Sequence, residues 1–204
     1  MATAKGLTRS QAVIKRTFDM VIATIGLLGT WWVILLAWLA ASIDTRSNGF
    51  FTQRRVGKDG RIFSLVKIKT MRPVKGVITT VTRSGDPRIT PLGRFFRRAK
   101  IDELPQLWNV LVGDMSFVGP RPDVPGFADR LEGEEQLILS IRPGITGPAT
   151  LKYRNEEELL AAQEDPEVYN REVIWPDKVR INLEYIRAWS LMGDVRYIRR
   201  TLFG

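Results

Sequence analysis

Asp102 and Glu103 stand side by side in the run Lys100-Ile101-Asp102-Glu103-Leu104-Pro105-Gln106-Leu107-Trp108-Asn109, and Gly119-Pro120-Arg121-Pro122 follows shortly after. Adjacent carboxylates can hold a hard cation, attack an electrophile or exchange protons. A rigid Pro-Arg-Pro turn presents one guanidinium, whose planar donors suit phosphate oxygens. The chain contains no Cys and no His. Thiolate chemistry, Ser-His triads and His-ligated zinc are therefore excluded, and carboxylates, lysines and hydroxyls are left for catalysis. A metal would be an oxygen-liking ion such as Mg²⁺, with Asp102 and Glu103 as its candidate ligands. An isolated Asp-Glu pair is usually a helix cap plus a surface charge. What tips the reading toward phosphate-ester chemistry is the arginine turn, the missing His and Cys, and the apolar segment described below.

Several elements must position these groups. Leu104, Leu107, Trp108 and Leu111 fall at i, i+3, i+4 and i+7, one apolar helical face. Pro105 suits a first turn, and the pattern stops at Gly113. The acidic pair is thus expected beside a helix N-terminus, where backbone N–H groups and the dipole keep carboxylates ionised. Thr90-Pro91 is a second helix start, running to Ala99 with Leu92, Phe95, Phe96 and Ala99 as its stripe and Arg94, Arg97 and Arg98 alongside. That mixture suits an interfacial helix, or equally a core helix with a solvated basic face. Residues 50–56 and 61–68 read as a hairpin around Gly57-Lys58-Asp59-Gly60, with Lys67, Lys69 and Arg72 able to lend positive charge. Residues 73–90 read as a surface loop and 128–141 as an acidic amphipathic helix. Residues 142–148 form a turn-rich loop holding Arg142. Further helices are expected over 156–165, 176–192 and 195–203, the last carrying Arg196, Arg199 and Arg200.

From Thr17 to Ile43 the chain is almost wholly apolar, with Asp19 its only charge. That is long enough to cross a bilayer core of roughly 30 Å. Basic residues flank it on both sides, Lys5, Arg9, Lys15 and Arg16 before and Arg46, Arg54 and Arg55 after, so both ends are expected on the cytoplasmic side. A helix that enters and returns satisfies this; the absence of proline between Thr17 and Ile43 argues for a straight one. The re-entrant form is the expectation taken forward. A net charge of +9 points to a polyanionic partner, and with no nucleic-acid motif a lipid or phosphorylated substrate is favoured over nucleic acid.

Taken together, Lys15-Arg16 with Phe18-Asp19, Phe51-Thr52-Gln53-Arg54-Arg55-Val56-Gly57, Lys67-Ile68-Lys69-Thr70-Met71, the run from Asp102 to Leu111, Gly113-Asp114-Met115-Ser116-Phe117-Val118 with Gly119-Pro120-Arg121-Pro122, and Arg142-Pro143-Gly144-Ile145-Thr146-Gly147 resemble the bacterial sugar transferases. These are monotopic polyprenyl-phosphate phosphoglycosyl transferases. The resemblance implies transfer of a sugar 1-phosphate from a UDP-sugar to undecaprenyl phosphate with release of UMP. It implies Asp102 as the nucleophile that becomes a phosphosugar-aspartyl intermediate. Glu103 would help to hold Mg²⁺ or deprotonate the lipid phosphate, and Pro120, Arg121 and Pro122 would meet the nucleotide. Lys69, Arg97 and Arg142 complete the expected substrate-binding set. Trp31-Trp32 stands where family members typically carry a Ser-Pro pair in the membrane helix.

The expected fold is α+β and mostly helical: an N-terminal membrane-inserted, re-entrant helix, a β-hairpin and several interfacial amphipathic helices. Residues 1–46 would form the tail and membrane helix and 47–204 a catalytic domain on the cytoplasmic face of the bacterial inner membrane. Bilayer lipids are expected partners, and a homo-oligomer stays open. So does the identity of the sugar. The alternative function is a non-catalytic, membrane-anchored scaffold that binds anionic lipid.

Overall fold

A computed structural model of the chain describes residues 6–74, 86–126 and 128–204. Helices dominate, with one antiparallel hairpin and one short parallel strand pair among the described residues. Most of the expected 73–90 loop falls on 75–85, outside the described residues, as does Lys5.

Helix α1, Arg9–Thr45, has 37 residues, about 55 Å at 1.5 Å per residue. It opens on a capping box: Gln11 N–H donates to Thr8 Oγ1, and Thr8 N–H donates to Gln11 Oε1. It runs uninterrupted through Gly26, Gly29, Thr30 and Trp31-Trp32. One face docks on the rest of the protein. Lys15, Asp19 and Ala23, then Ala37, Ala41 and Thr45, are buried at four-residue steps, with Gly26 against Leu107 between them. Small residues let the helix approach closely. The opposite face is bare and apolar, with Leu28 72% and Trp31 60% exposed. Both ends attach to the same body. Lys15 Nζ meets Asp194 Oδ2 at 2.6 Å; near the other end Arg72 Nη2 meets Asp44 Oδ1 at 2.7 Å.

β1 (Phe50–Val56) and β2 (Ile62–Ile68) form the expected hairpin, in register from Phe50↔Ile68 to Val56↔Ile62. Its turn uses Asp59 and Gly60 at positive φ. Helix α2 (Pro91–Arg98) starts where expected, with Gly93 N–H donating to Thr90 Oγ1 at 2.8 Å. Its buried stripe is narrower than the pattern suggested: Phe96 is buried and Phe95 is exposed. Gly93 is why α2 sits so close, since a Cβ there would lie 2.1 Å from the Thr70 carbonyl oxygen.

Helix α3 (Gln106–Val112) follows a separate 3₁₀ turn, Ile101–Glu103, and ends on Gly113 at φ 99°. Its buried face differs from the expectation. Gln106, Leu107, Asn109 and Val110 are buried, whereas Trp108 is exposed. Tertiary bonds turn the helix: Asn109 Oδ1 accepts from Val66 N–H and Asn109 Nδ2 donates to the Ser64 carbonyl, stitching α3 to β2.

Two other readings are corrected. Residues 128–141 form 3₁₀ turns, Ala128–Arg130 and Gly133–Ser140, because Glu132 is extended and Gly133 takes φ 58° between them. The turn-rich 142–148 stretch holds β4 (Gly144–Thr146), paired in parallel with β3 (Ser116–Val118). Gly119 and Gly144 make that pair possible: a Cβ on Gly144 would lie 2.2 Å from Gly119 N.

The C-terminal part is α4 (Pro148–Lys152), α5 (Glu156–Ala161), α6 (Pro166–Tyr169), a π-helical turn Asn170–Ile174 leading into α7 (Trp175–Arg187), and α8 (Leu191–Phe203). α8 begins four residues earlier than expected because Ser190 caps it, accepting from Gly193 N–H. Asp194 then gathers Lys15, Tyr185 and Trp189 in one buried network, tying α1 to α7 and α8.

Candidate active site

Lys100, at φ 57°, turns the chain out of α2 and into the 3₁₀ turn that carries Asp102 and Glu103. Asp102 is only 7% exposed. Its Oδ1 is buried without a hydrogen-bond partner, and so is Gln106 Nε2 one turn further on. Buried polar atoms are nearly always paired, so two orphans four residues apart mark a place where something else completes the bonding. Glu103 is built differently. Its Oε1 accepts from Lys67 Nζ at 3.0 Å, delivered from β2, and from Arg121 Nη2 at 3.5 Å, delivered from the Pro120–Pro122 turn.

The electrostatics follow from this. Burial pushes the Asp102 carboxyl above the usual carboxylate range, and Glu103 adds to it, while Lys67, Arg97 and Lys100 pull the other way. Burial is also the largest single influence on Glu103, raising its pKa. There Lys67, Arg121 and Lys100 together outweigh it and hold the carboxyl down at about 2. Burial lowers the Lys67 ammonium, against the pull of Glu103. The pair does stand beside the start of α3, in the helical turn just before it, but burial raises the Asp102 pKa where stabilisation of the carboxylate was expected. α3 begins at Gln106 with Pro105 in the capping position, and no side chain makes a capping bond there.

The other expected substrate-binding residues divide. Pro120 and Pro122 are buried and hold Arg121 outward. Arg97 Nε donates to Thr70 Oγ1 at 3.2 Å and adds positive potential at Asp102. Lys69 lies beyond the end of β2, where its Nζ donates to Ser47 Oγ at 2.8 Å. Arg142 sits at the other end of α3: its Nε donates to the Gly113 carbonyl, beside Arg16, whose Nη atoms donate to the carbonyls of Val110 and Leu111. Both arginines satisfy carbonyls that end a helix.

Residues outside the expected substrate-binding set complete the cluster. Lys67, within β2, reaches Glu103, whereas Lys69 lies past the end of the strand and turns to Ser47. Arg55 Nη1 donates to the Pro122 carbonyl at 2.9 Å and its Nε is buried without a partner. Asp123, raised by burial to about 6, neighbours Arg55, Arg121 and Lys178. The site thus extends from Lys67 through Arg121 to Arg55 as a cationic edge. Only the pairing of β1 with the arginine turn creates that edge, so no local pattern announced it.

No group of three or more acidic side chains that could cage a metal occurs among the described residues. Mg²⁺ commonly takes one or two carboxylates and fills its shell with water and substrate phosphate oxygens. The orphaned Asp102 Oδ1 next to Glu103 fits that kind of site and not an all-protein one.

Relatives carry the comparison further. The chain is 35% identical over 198 residues to the UDP-glucose:undecaprenyl-phosphate glucose-1-phosphate transferase of Escherichia coli (strain K12), covering 94% of this chain and 40% of that protein. It is 35% identical over 208 residues to the galactosyl transferase CpsE of Streptococcus agalactiae, covering 95% and 42%. With a Caulobacter vibrioides protein of the same name as the first it shares 34% over 192 residues, covering 92% and 68%. The chain thus spans about 40% of the length of several relatives that it matches. The family model described as bacterial sugar transferase matches residues 10–204, which takes in α1, the paired carboxylates and the arginine turn alike, and the chain belongs to that family.

Proposed function

We propose that the chain moves a sugar 1-phosphate from a UDP-sugar to undecaprenyl phosphate through a phosphosugar-aspartyl intermediate. The observation that carries this reading is the orphaned, buried Asp102 Oδ1 beside a carboxylate already committed to Lys67 and Arg121. Asp102 attacks the phosphorus that bears the sugar, and the bond to the UMP oxygen breaks. UMP leaves and a mixed phosphoric-carboxylic anhydride remains. An oxygen of the acceptor phosphate then attacks the same phosphorus, freeing the Asp102 carboxylate and giving the polyprenyl diphosphate sugar. Raised basicity favours Asp102 as the attacking group. Glu103, held near pKa 2, is a poor proton acceptor, and a phosphate monoester is already largely dianionic at neutral pH. Glu103 therefore positions Lys67 and Arg121 and completes the metal site, and no base is required of it. When bound, Mg²⁺ supplies charge neutralisation on the diphosphate. Arg121 and Arg55 hold the nucleotide phosphates on the cationic edge.

Residues 1–46 serve as the membrane part and 47–204 as the catalytic part on the cytoplasmic face of the inner membrane. The bare apolar face of α1 lies in the bilayer with both ends on one side, in keeping with the attachment of Lys15 and Asp44 to the same body. Exposed Phe95 on α2 and Trp108 on α3 support interfacial contact by those helices. The test is direct. Purified protein with Mg²⁺, undecaprenyl phosphate and a panel of UDP-sugars releases UMP, and Asp102→Asn lowers that release at least about 10³-fold, the scale expected for loss of a nucleophile. Wild-type rates from the variant, or no release from any UDP-sugar, would overturn the proposal.

A further inference from the structure

The polar stripe that carries Asp102 holds one more group. From Ile101 the backbone is helical through the 3₁₀ turn, Leu104 and Pro105 into α3. Residues four and seven positions after Asp102 therefore share its face, and they are Gln106 and Asn109. Glu103 flanks the same stripe. Two of these residues show what the stripe meets. Glu103 accepts from Lys67 Nζ, while Asn109 accepts from Val66 N–H and donates to the Ser64 carbonyl, all on β2. Gln106 lies between those two anchors and is 3% exposed. Its Nε2 is buried with no partner, as is Asp102 Oδ1.

Packing alone does not call for an amide here. Met has a similar length and helix propensity and leaves no unmet donor, so Gln106 lowers the stability of the ligand-free protein. An acceptor brought by a ligand offsets that loss. Nε2 donates and cannot bind a cation, so a metal taken up by Asp102 would leave it unmet. Lys67 and Arg121 already donate to Glu103, and Arg97 to Thr70 Oγ1. A ligand that meets both orphans offers an electrophilic centre to the carboxylate and an anionic oxygen to the amide. A phosphoryl group has both. Resting on the function proposed above, we infer that Gln106 is a catalytic residue whose Nε2–H donates to a non-bridging oxygen of the phosphoryl group as it moves to and from Asp102. In the first step the Asp102 oxygen bonds to phosphorus and the UMP oxygen leaves. In the second an acceptor phosphate oxygen bonds to phosphorus and the Asp102 oxygen leaves. The amide proton stays on nitrogen in both. A donor held in a buried site stabilises the charge spread over those oxygens in the transition state.

Gln106→Met keeps the length and removes the donor; Gln106→Glu keeps the shape and puts an acceptor in its place. With Mg²⁺ and a UDP-sugar that the wild type accepts, both should slow the UMP burst about 10²- to 10³-fold, the scale of one lost transition-state hydrogen bond. The KM for the UDP-sugar should stay within about 3-fold of wild type. Without ligand, Gln106→Met should melt in detergent at or above the wild-type temperature, since the unmet N–H is gone. A slow burst joined to a lower melting temperature, or to loss of folding, makes Gln106 a structural residue and overturns the inference. A UDP-sugar with sulfur for one non-bridging oxygen on the sugar-bearing phosphorus tests the contact itself. Sulfur accepts hydrogen bonds poorly, so one diastereomer should slow the wild type about 10-fold more than it slows Gln106→Met. Equal effects of sulfur in the two proteins place Gln106 away from the phosphoryl oxygens and overturn the inference. Turnover by the wild type with an unaffected Gln106→Met removes the inference alone. A wild type silent with every UDP-sugar sinks the proposed reaction and the inference with it.

Discussion

Asp102 and Glu103 are chain neighbours, yet their surroundings drive their proton affinities apart. Asp102 is buried with an unmet oxygen, so its pKa is raised; Glu103 is partly enclosed and pinned by Lys67 and Arg121. The consequences for stability have opposite signs. A carboxyl whose folded pKa lies above its unfolded value of 3.8 makes the folded state bind more protons, so its contribution declines as pH rises through that value. Glu103 contributes above its unfolded 4.5 and loses that contribution as pH falls toward about 2. Thermal unfolding in detergent should therefore show Asp102→Asn gaining on wild type as pH rises above the unfolded value of 3.8. Glu103→Gln should be less stable than wild type at neutral pH, with the gap closing between about 4.5 and about 2. Parallel pH profiles for both variants would contradict this account.

The elements matter by how closely they approach. α2 delivers Arg97 toward Asp102 only because Gly93 lets it lie against the Thr70 carbonyl. Gly93→Ala should cost about 1–3 kcal/mol through overpacking. Gly29→Ala, where nothing lies within 4 Å of the added carbon, should be neutral or stabilising by up to about 1 kcal/mol, as expected for a helix interior. Melting temperatures of the two variants measured side by side decide this. Equal shifts would mean that the close approach at Gly93 carries no energetic weight. Asn109 does comparable work through hydrogen bonds, since it fixes α3 to β2 next to Lys67 and so sets the distance between the two halves of the site.

At the scale of the whole molecule, α1 is both a wall of the protein and its most apolar surface. Lys15 and Asp44, near its two ends, join the same body, and the proposed topology puts both ends on one side of the bilayer. The chain has no cysteine, so the point can be tested without background. Ser10→Cys and Arg61→Cys should react alike with a membrane-impermeant maleimide, neither in intact cells and both after the inner membrane is permeabilised. Labelling of only one of them in intact cells would mean that α1 spans the membrane.

Local features follow from residues a few positions apart. Turn glycines and alternation set the hairpin, Thr90-Pro91 set the start of α2, Gly113 set the stop of α3, and the Asp-Glu pair with the Pro-Arg-Pro turn marked the chemistry. Tertiary structure decided what depends on distant partners. It chose Lys67 over Lys69, placed Arg142 at a helix end, turned Trp108 outward, and buried Asp102. It also paired β3 with β4 inside what reads as a turn-rich loop. In each case the deciding groups lie tens of residues away, and burial, the largest influence on both carboxylates, exists only once α1, β2 and the arginine turn have closed around them.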